Sequence, residues 1–425
     1  MNLGAADALL RLGRRPAIAA GLGLGLLIYF VAHVTRFHLS VIWPLAPSGD
    51  ASILFDSSRL ILERGDYPAR LALGNMNSVF PYPPSAVLLL GGLAAAGPAA
   101  FMAAWLVLMA TGLWVMLRAG FAGERPDIVS AWLLLAALAL VVADGPVAWD
   151  LRNANSNLVA LGLVVAAYAL AARRPAIAGV LIGLSISLKL YSGLLLLWLL
   201  ANGPRPALYA GALTCIFLWL LLPAAVFGAA GALHLYLGWI EQLRIIADPW
   251  VYSMLAAGQG GPPIVTLRRA VMWLLGTDPG AAQTRALVLA MWVLWLAALL
   301  AYAWRARKTG AAIIPSRAAL ADWTVLLLAP LPFSPWLEPY HALPILIGAL
   351  LLLTILLDQC VSRRDRWIAF AGVLALGLIR LVEAPFAIRG IGLLAAFLIL
   401  VGALAALRPR LAPAPLAGSL LRSEQ

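Results

Sequence analysis

Long apolar runs, cut by Pro, Gly and Arg clusters and never by a domain-sized polar block, make up most of this chain. An element inside lipid has to satisfy its own backbone polar groups. Runs long enough to cross ~30 Å of hydrocarbon therefore predict α-helices throughout. In the C-terminal half the pattern predicts crossings over about Ala286–Trp304, Ala318–Phe333, His341–Leu357, Trp367–Val382 and Ile391–Leu407. At the other end a run from about Ala17 to Val34 follows Arg11, Arg14 and Arg15 and reads as a retained anchor, because it is longer than the apolar core of a leader peptide.

Two stretches do not fit single crossings. Pro84–Leu117 is too long and contains Gly97-Pro98, and Ala176–Leu200 holds Lys189 at its centre, so each is expected to be a broken or re-entrant element. Simple alternation through both would put Arg173 and Arg174 on the wrong side. Counting the pieces gives roughly twelve segments, and counting only clear crossings about ten. The expected fold is all-α: a polytopic integral membrane protein of roughly 10–12 transmembrane segments. Residues 1–425 then form one membrane-embedded domain with two large external interruptions, 36–83 and 230–283. In the second, Leu235, Ile240, Leu243 and Ile246 recur beside His234, Glu241, Gln242 and Arg244, as in a helix lying on the membrane surface, and Ala247–Pro263 reads as a loop.

Composition agrees and narrows the function. A chain 63% hydrophobic and 11% charged, with mean hydropathy +0.94, is not a soluble globule. The net charge of +12 sits mostly at the ends of apolar spans, so anionic headgroups rather than nucleic acid are the expected partners. The clusters Arg305, Arg307, Lys308, Arg317 and Arg363, Arg364, Arg366 predict a cytoplasmic side that also holds both termini. Gly49–Pro84 and Ser334–Tyr340 then face outside. No Walker loop or Rossmann turn is present, two cysteines suggest no disulfide framework, and the four histidines are dispersed. No metal and no cofactor are expected.

The most polar stretch is Gly49–Pro84, where a protein that merely crossed a bilayer would need only a short turn. Asp50, at an external boundary before a helix-like Ala51–Leu62, is the candidate base, although an Asp after Gly at the start of a helical run is also an ordinary N-cap. Asp56 reads as a solvated helix acid and Asp66 as a turn acid. Lys189, amid Ser187, Leu188, Leu190 and Tyr191, requires a partner, an aqueous cavity or a route to snorkel. Arg380 and Glu383, one helical turn apart, read as an internal ion pair, with phosphate binding the minority reading for Arg380; Arg268 and Arg269 read as headgroup contacts. The Phe80–Pro84 knot fixes chain direction, and Tyr82 offers a ring to a sugar.

The order Asp50, Phe55, Gly65-Asp66-Tyr67, Phe80-Pro81-Tyr82-Pro83-Pro84 resembles the first external loop of glycosyltransferase family 87, the polyprenol-phosphate-sugar-dependent, α-mannosyltransferase-like membrane enzymes. Three later matches keep the order: Asn155 to Asn157 against a Gly-Gln-x-Asn element, Ala178–Leu184 with Lys189 against an Ala-Gly-rich helix followed by lysine, and Ser334-Pro335 with His341 against Ser-Pro-x-x-Trp-x-His-His. Asn155 replaces the Gln, and Tyr340 stands where the first His would be. The resemblance implies a C-type glycosyltransferase architecture with external juxtamembrane helices. It further implies inverting transfer of a mannose-like hexose or a pentose from polyprenyl monophosphate to a glycolipid or glycan, at the external face of a bacterial inner membrane. It casts Asp50 as catalytic base, His341, Lys189 and Arg380 as donor-phosphate ligands, and Asp66, Tyr67, Tyr82, Asn155, Asn157, Glu338 and Tyr340 as substrate contacts. The alternatives are a lipid or polyol transporter, with the broken segments and Lys189 as gating features, and a noncatalytic subunit of envelope-polysaccharide assembly.

Overall fold

A computed structural model describes residues 16–42, 47, 49–65, 82–119, 129–247, 282–308, 316–330, 339–358, 361–386, 391–408 and 411. Among these residues the regular structure is helical. In chain order the helices are α1 (Pro16–Ile42), α2 (Gly49–Arg64), α3 (Pro84–Ala95), α4 (Pro98–Ala119), α5 (Val129–Val142), α6 (Asp144–Arg152), α7 (Asn157–Leu170) and α8 (Pro175–Leu188). There follow α9 (Leu194–Asn202), α10 (Arg205–Ile216), α11 (Leu222–Ala247), α12 (Ala282–Lys308), α13 (Arg317–Leu328), α14 (Ile345–Leu357), α15 (Arg363–Phe386) and α16 (Ile391–Leu407). The chain is an all-α polytopic membrane protein. Pro98–Arg118 is long and apolar enough to cross a bilayer alone, as is the 39-residue stretch Arg205–Leu243, which joins α10 to α11 and kinks at Gly228, φ 72; Leu133–Val142 with Gly145–Arg152 form a pair bent by 80°. Other apolar helices are shorter: α7 and α8, 14 residues each, span only roughly 21 Å at 1.5 Å per residue.

Both expected breaks are present. Gly97, at φ +93, separates α3 from α4 in a backbone region that favours glycine, and Pro98 starts the new helix with a preset φ. Lys189, extended at φ −143 and ψ 110, ends α8, and a 3₁₀ turn over Leu190–Gly193 leads into α9.

Small residues let these helices touch backbone to backbone, which is how helices associate in lipid, where burial of apolar area gives little drive. A Cβ on Gly112 would lie 2.2 Å from the Leu158 carbonyl oxygen, and one on Gly162 2.4 Å from Gly112 Cα, so α4 and α7 run side by side. A Cβ on Gly179 would lie 2.1 Å from the Ala207 oxygen and one on Gly183 2.6 Å from Thr214 Cβ, which sets α8 parallel to α10. Ser185 Oγ donates to the Ala160 carbonyl at 2.9 Å and ties α8 antiparallel to α7.

These contacts sort the helix ends into two levels. The α7–α8 turn, the start of α10 and the start of α13 share one level, because Tyr168 hydroxyl donates to the Ser316 carbonyl at 2.6 Å and Gly179 abuts Ala207. Arg317 pairs there with Asp358 at 2.5 Å. Deeper in, Asp322 of α13 is fully buried and receives Tyr302 hydroxyl at 2.6 Å, Trp198 Nε1 at 3.2 Å and Arg408 Nε at 2.5 Å, fastening α9, α12 and the end of α16 to α13. Exposed Arg118, Arg173, Arg174 and Arg205 occupy this end. The apparent misplacement of Arg173 and Arg174 disappears because α8 and α9 run up and back as short helices. An outward belt of Leu213, Ile216, Phe217, Leu220, Leu221, Leu289, Val293 and Leu294 is left for lipid. The amphipathic stretch expected over Leu233–Ile246 lies within α11, with Leu235 and Trp239 buried and Leu233, Leu237 and Ile240 exposed.

Candidate active site

At the opposite level the start of α2, the turn between α6 and α7, Tyr82 two residues before α3 and the break after α8 converge. The turn is held in an unusual shape: Ala154, buried, sits at φ 45, a conformation costly for any residue with a Cβ. Trp105 Nε1 of α4 secures it by donating to the Ala154 carbonyl at 2.8 Å. Trp105 also stacks on Phe101, whose ring meets Phe55 of α2 edge-on at 5.3 Å. The start of α2 is clipped to the same turn, because Asp50 N donates to the Asn153 carbonyl at 2.7 Å. Asp50 therefore enters the site with its backbone fixed and its side chain half-buried.

A polar network surrounds the carboxylate. Asn155 Nδ2 donates to Asp50 Oδ2. Asn155 Oδ1 accepts from Asn157 Nδ2 at 2.9 Å, and the same Nδ2 donates to Asp150 Oδ1 at 3.0 Å. The second Asp150 oxygen accepts the Leu158 backbone N–H at 3.0 Å, and Tyr191 hydroxyl donates to Asn157 Oδ1 at 3.1 Å. Ser156 Oγ donates to the Tyr82 hydroxyl oxygen at 3.2 Å. Lys189 Nζ lies over the Tyr82 ring, 4.9 Å from its centroid, and within electrostatic reach of both Asp50 and Asp150. Burial, reinforced by the Asp50 carboxylate, pushes the Tyr82 phenol well above its ordinary range, so it stays neutral beneath the ammonium.

Of the residues singled out in the sequence, Asp50, Tyr82, Asn155, Asn157 and Lys189 thus come together. Their exposures divide the work. Asp50 and Lys189 are half-buried, whereas Asn157 is fully buried and Tyr82 nearly so, which puts both behind the accessible groups; the Tyr82 ring carries the lysine. His341 is half-buried on the 3₁₀ turn Pro339–Ala342, which packs against α6. Asp56 lies exposed on α2. Tyr340 belongs to that 3₁₀ turn and Arg380 to α15, but their side chains, together with Asp66, Tyr67, Phe80, Pro81, Arg268, Arg269, Ser334, Pro335 and Glu338, lie outside the described residues. One member was missed by sequence reasoning: Asp150, a fully buried carboxylate. An acid seven residues before Asn157, across a helix break, was the available signal.

Chemically, the site offers one accessible carboxylate held by an amide donor, with a cation nearby over an aromatic face. Such a set can take a proton from a hydroxyl and offset negative charge released alongside.

Comparison with curated proteins and with solved structures returned no match. The family model described as glycosyltransferase family 87 matches residues 80–330, more than half of the chain and the stretch that supplies Tyr82, Asp150, Asn155, Asn157 and Lys189. Asp50 and His341 lie outside that stretch, and Asp50 is joined to it by the Asn153 and Asn155 hydrogen bonds. With helices long and apolar enough to span a bilayer, the chain belongs to glycosyltransferase family 87 and is a membrane glycosyltransferase.

Proposed function

We propose that the protein transfers a mannose-like hexose or a pentose from polyprenyl monophosphate to a hydroxyl of a glycolipid or glycan, on the external face of a bacterial cytoplasmic membrane. The observation that carries this reading is a half-buried, amide-held Asp50 in one polar cluster with Tyr82, whose ring carries Lys189 at 4.9 Å. The acceptor O–H gives its proton to the Asp50 carboxylate as its oxygen bonds to the anomeric carbon. The bond from that carbon to the phosphate oxygen breaks, and its electron pair leaves with the lipid phosphate. A phosphate departs as a stabilised anion, so one carboxylate suffices where a glycosidase needs a second to protonate the leaving oxygen. Lys189 offsets the released charge, with His341 and Arg380 as further phosphate ligands. A single displacement inverts the anomeric centre. The external placement is supported by the exposed arginines Arg118, Arg173, Arg174 and Arg205 at the end away from Asp50, as cytoplasmic ends of spans carry them.

The test is to incubate purified protein with polyprenyl-phosphate mannose or pentose and membrane glycolipids, and to follow product by mass and anomeric configuration. Donor-dependent, inverted product is expected. Movement of free solute into liposomes without glycosylation would favour the transporter reading instead.

Two further results are expected. Lys189→Met should raise the donor KM by about 10–100-fold, the range for losing a charged hydrogen-bonding partner, with a smaller effect on acceptor KM. A monophosphate donor lacks the diphosphate that commonly calls for a divalent ion, so the transfer is proposed to be metal-independent. Turnover in excess EDTA should equal that in added magnesium, and a tenfold fall on chelation would contradict this.

A further inference from the structure

We infer that Asp150 and Asn157 are positioning residues that set which end of the Asn155 amide faces Asp50; this rests on the reading of Asp50 as the base. An Asn side chain is nearly symmetrical in shape, so its carbonyl oxygen and its NH₂ group can exchange places at little steric cost. Only the NH₂ end supports an ionised Asp50, since the carbonyl end would set a lone pair against a carboxylate. A second anchor behind Asn155 keeps that NH₂ end forward while the Asp50 carboxylate gains and loses its proton.

The relay does this with one polarity. Asp150 is fully buried and cannot touch substrate. Both of its oxygens accept here, and one is already taken by the Leu158 N–H at 3.0 Å. Its other oxygen draws Asn157 Nδ2 at 3.0 Å, so the Asn157 amide points its NH₂ toward Asp150 and its Oδ1 toward the Tyr191 hydroxyl at 3.1 Å. The same Nδ2 donates to Asn155 Oδ1 at 2.9 Å, seconded by the Asn157 backbone N–H at 3.3 Å. With its oxygen engaged there, Asn155 turns its NH₂ to Asp50 Oδ2. Reversing any amide in this chain opposes two donors or two acceptors at the next link. The direction is held at both ends, by the Asp50 carboxylate in front and by Asp150, both of whose oxygens accept, behind.

Asp150→Asn keeps the shape and removes that constraint. It should lower kcat about tenfold, because the loss is in holding the base. Asn155→Ala should lower kcat by at least as much. The double variant should be no slower than Asn155→Ala alone, since Asp150 acts through that amide. Losses that multiply would overturn the inference, because a residue that merely capped α7 would act independently of Asn155. If Asp150→Asn does not fold, the Asn157→Ala and Asn155→Ala pair gives the same cycle with the Leu158 cap intact, and multiplying losses overturn the inference there too. Equal turnover by the wild type and Asp50→Asn overturns both this inference and the function it rests on. An inactive Asp50→Asn beside multiplying losses at Asp150 and Asn155 removes the relay alone.

Discussion

Replacing Asp50 with Asn should lower turnover by about 10²–10⁴-fold, the usual contribution of a positioned general base, while the protein stays folded and still binds its lipid donor. The substitution is nearly isosteric. The Asn carbonyl oxygen can keep accepting from Asn155 Nδ2, and the backbone bond from residue 50 to the Asn153 carbonyl at 2.7 Å does not involve the side chain. What is lost is the ability to take a proton. The measurement is kcat for lipid-donor-dependent transfer, beside the thermal midpoint and donor affinity of the same preparation. Asp56→Asn, one and a half turns along α2 and exposed, is the control and should leave kcat unchanged. Turnover of Asp50→Asn within tenfold of the wild type would remove Asp50 from the chemistry and return it to the role of a first-turn acid stabilising the N-terminus of α2.

The contrast between Asp50 and Asp56 shows what a sequence can carry. Apolar run length fixed the approximate place of the crossings, and α12, α14 and α16 fall close to the spans read from it. Run length measures hydrocarbon thickness rather than helix length, however. The helix expected over Trp367–Val382 starts earlier, at Arg363, where Ser362 Oγ and Asp365 engage each other at 2.7 Å and the Asp365 N–H returns to Ser362 Oγ. Breaks were legible because Gly-Pro and an isolated lysine are costly inside a crossing, and both expectations are met at Gly97 and Lys189.

Long-range pairings were not legible. Asp150 has no periodic signature, and its value comes from the left-handed turn at Ala154, which brings Asn155 back to an acid 105 residues earlier in the chain. Asp322 did leave a signal, an acid inside an apolar run, which requires a partner. The partner, Arg408, is 86 residues away at the end of another helix, and only the packed bundle identifies it. Charge placement shows the same limit: Arg173 and Arg174 contradict alternation until the short helices α8 and α9 are seen to run up and back, a geometry set by glycine contacts rather than by hydropathy.

Gly49→Ala should be the most damaging change that leaves every polar group of the site in place. Gly49 has φ +55, where an L side chain costs about 1–2 kcal/mol from backbone sterics alone. A Cβ there would also lie 2.6 Å from the Asn153 carbonyl oxygen, closer than real Cβ atoms approach. That oxygen cannot easily yield: it accepts the Asp50 N–H, and the following residue is held by Trp105. Relief therefore comes from moving the start of α2 away from the turn, which separates Asp50 from Asn155. A displacement of about 1 Å at a reacting group can cost 10²-fold, so kcat should fall by about that factor while the donor KM, set at Lys189, changes little. The thermal midpoint should fall as well. Gly65→Ala at the other end of α2 is the comparison: its φ is +67, but a Cβ would meet nothing within 4 Å, so backbone strain acts without the clash. It should lower stability by a similar backbone increment and leave kcat near the wild-type value. Equal kcat losses in the two variants would mean that strain in α2, rather than the approach of Gly49 to the Asn153 turn, controls the base.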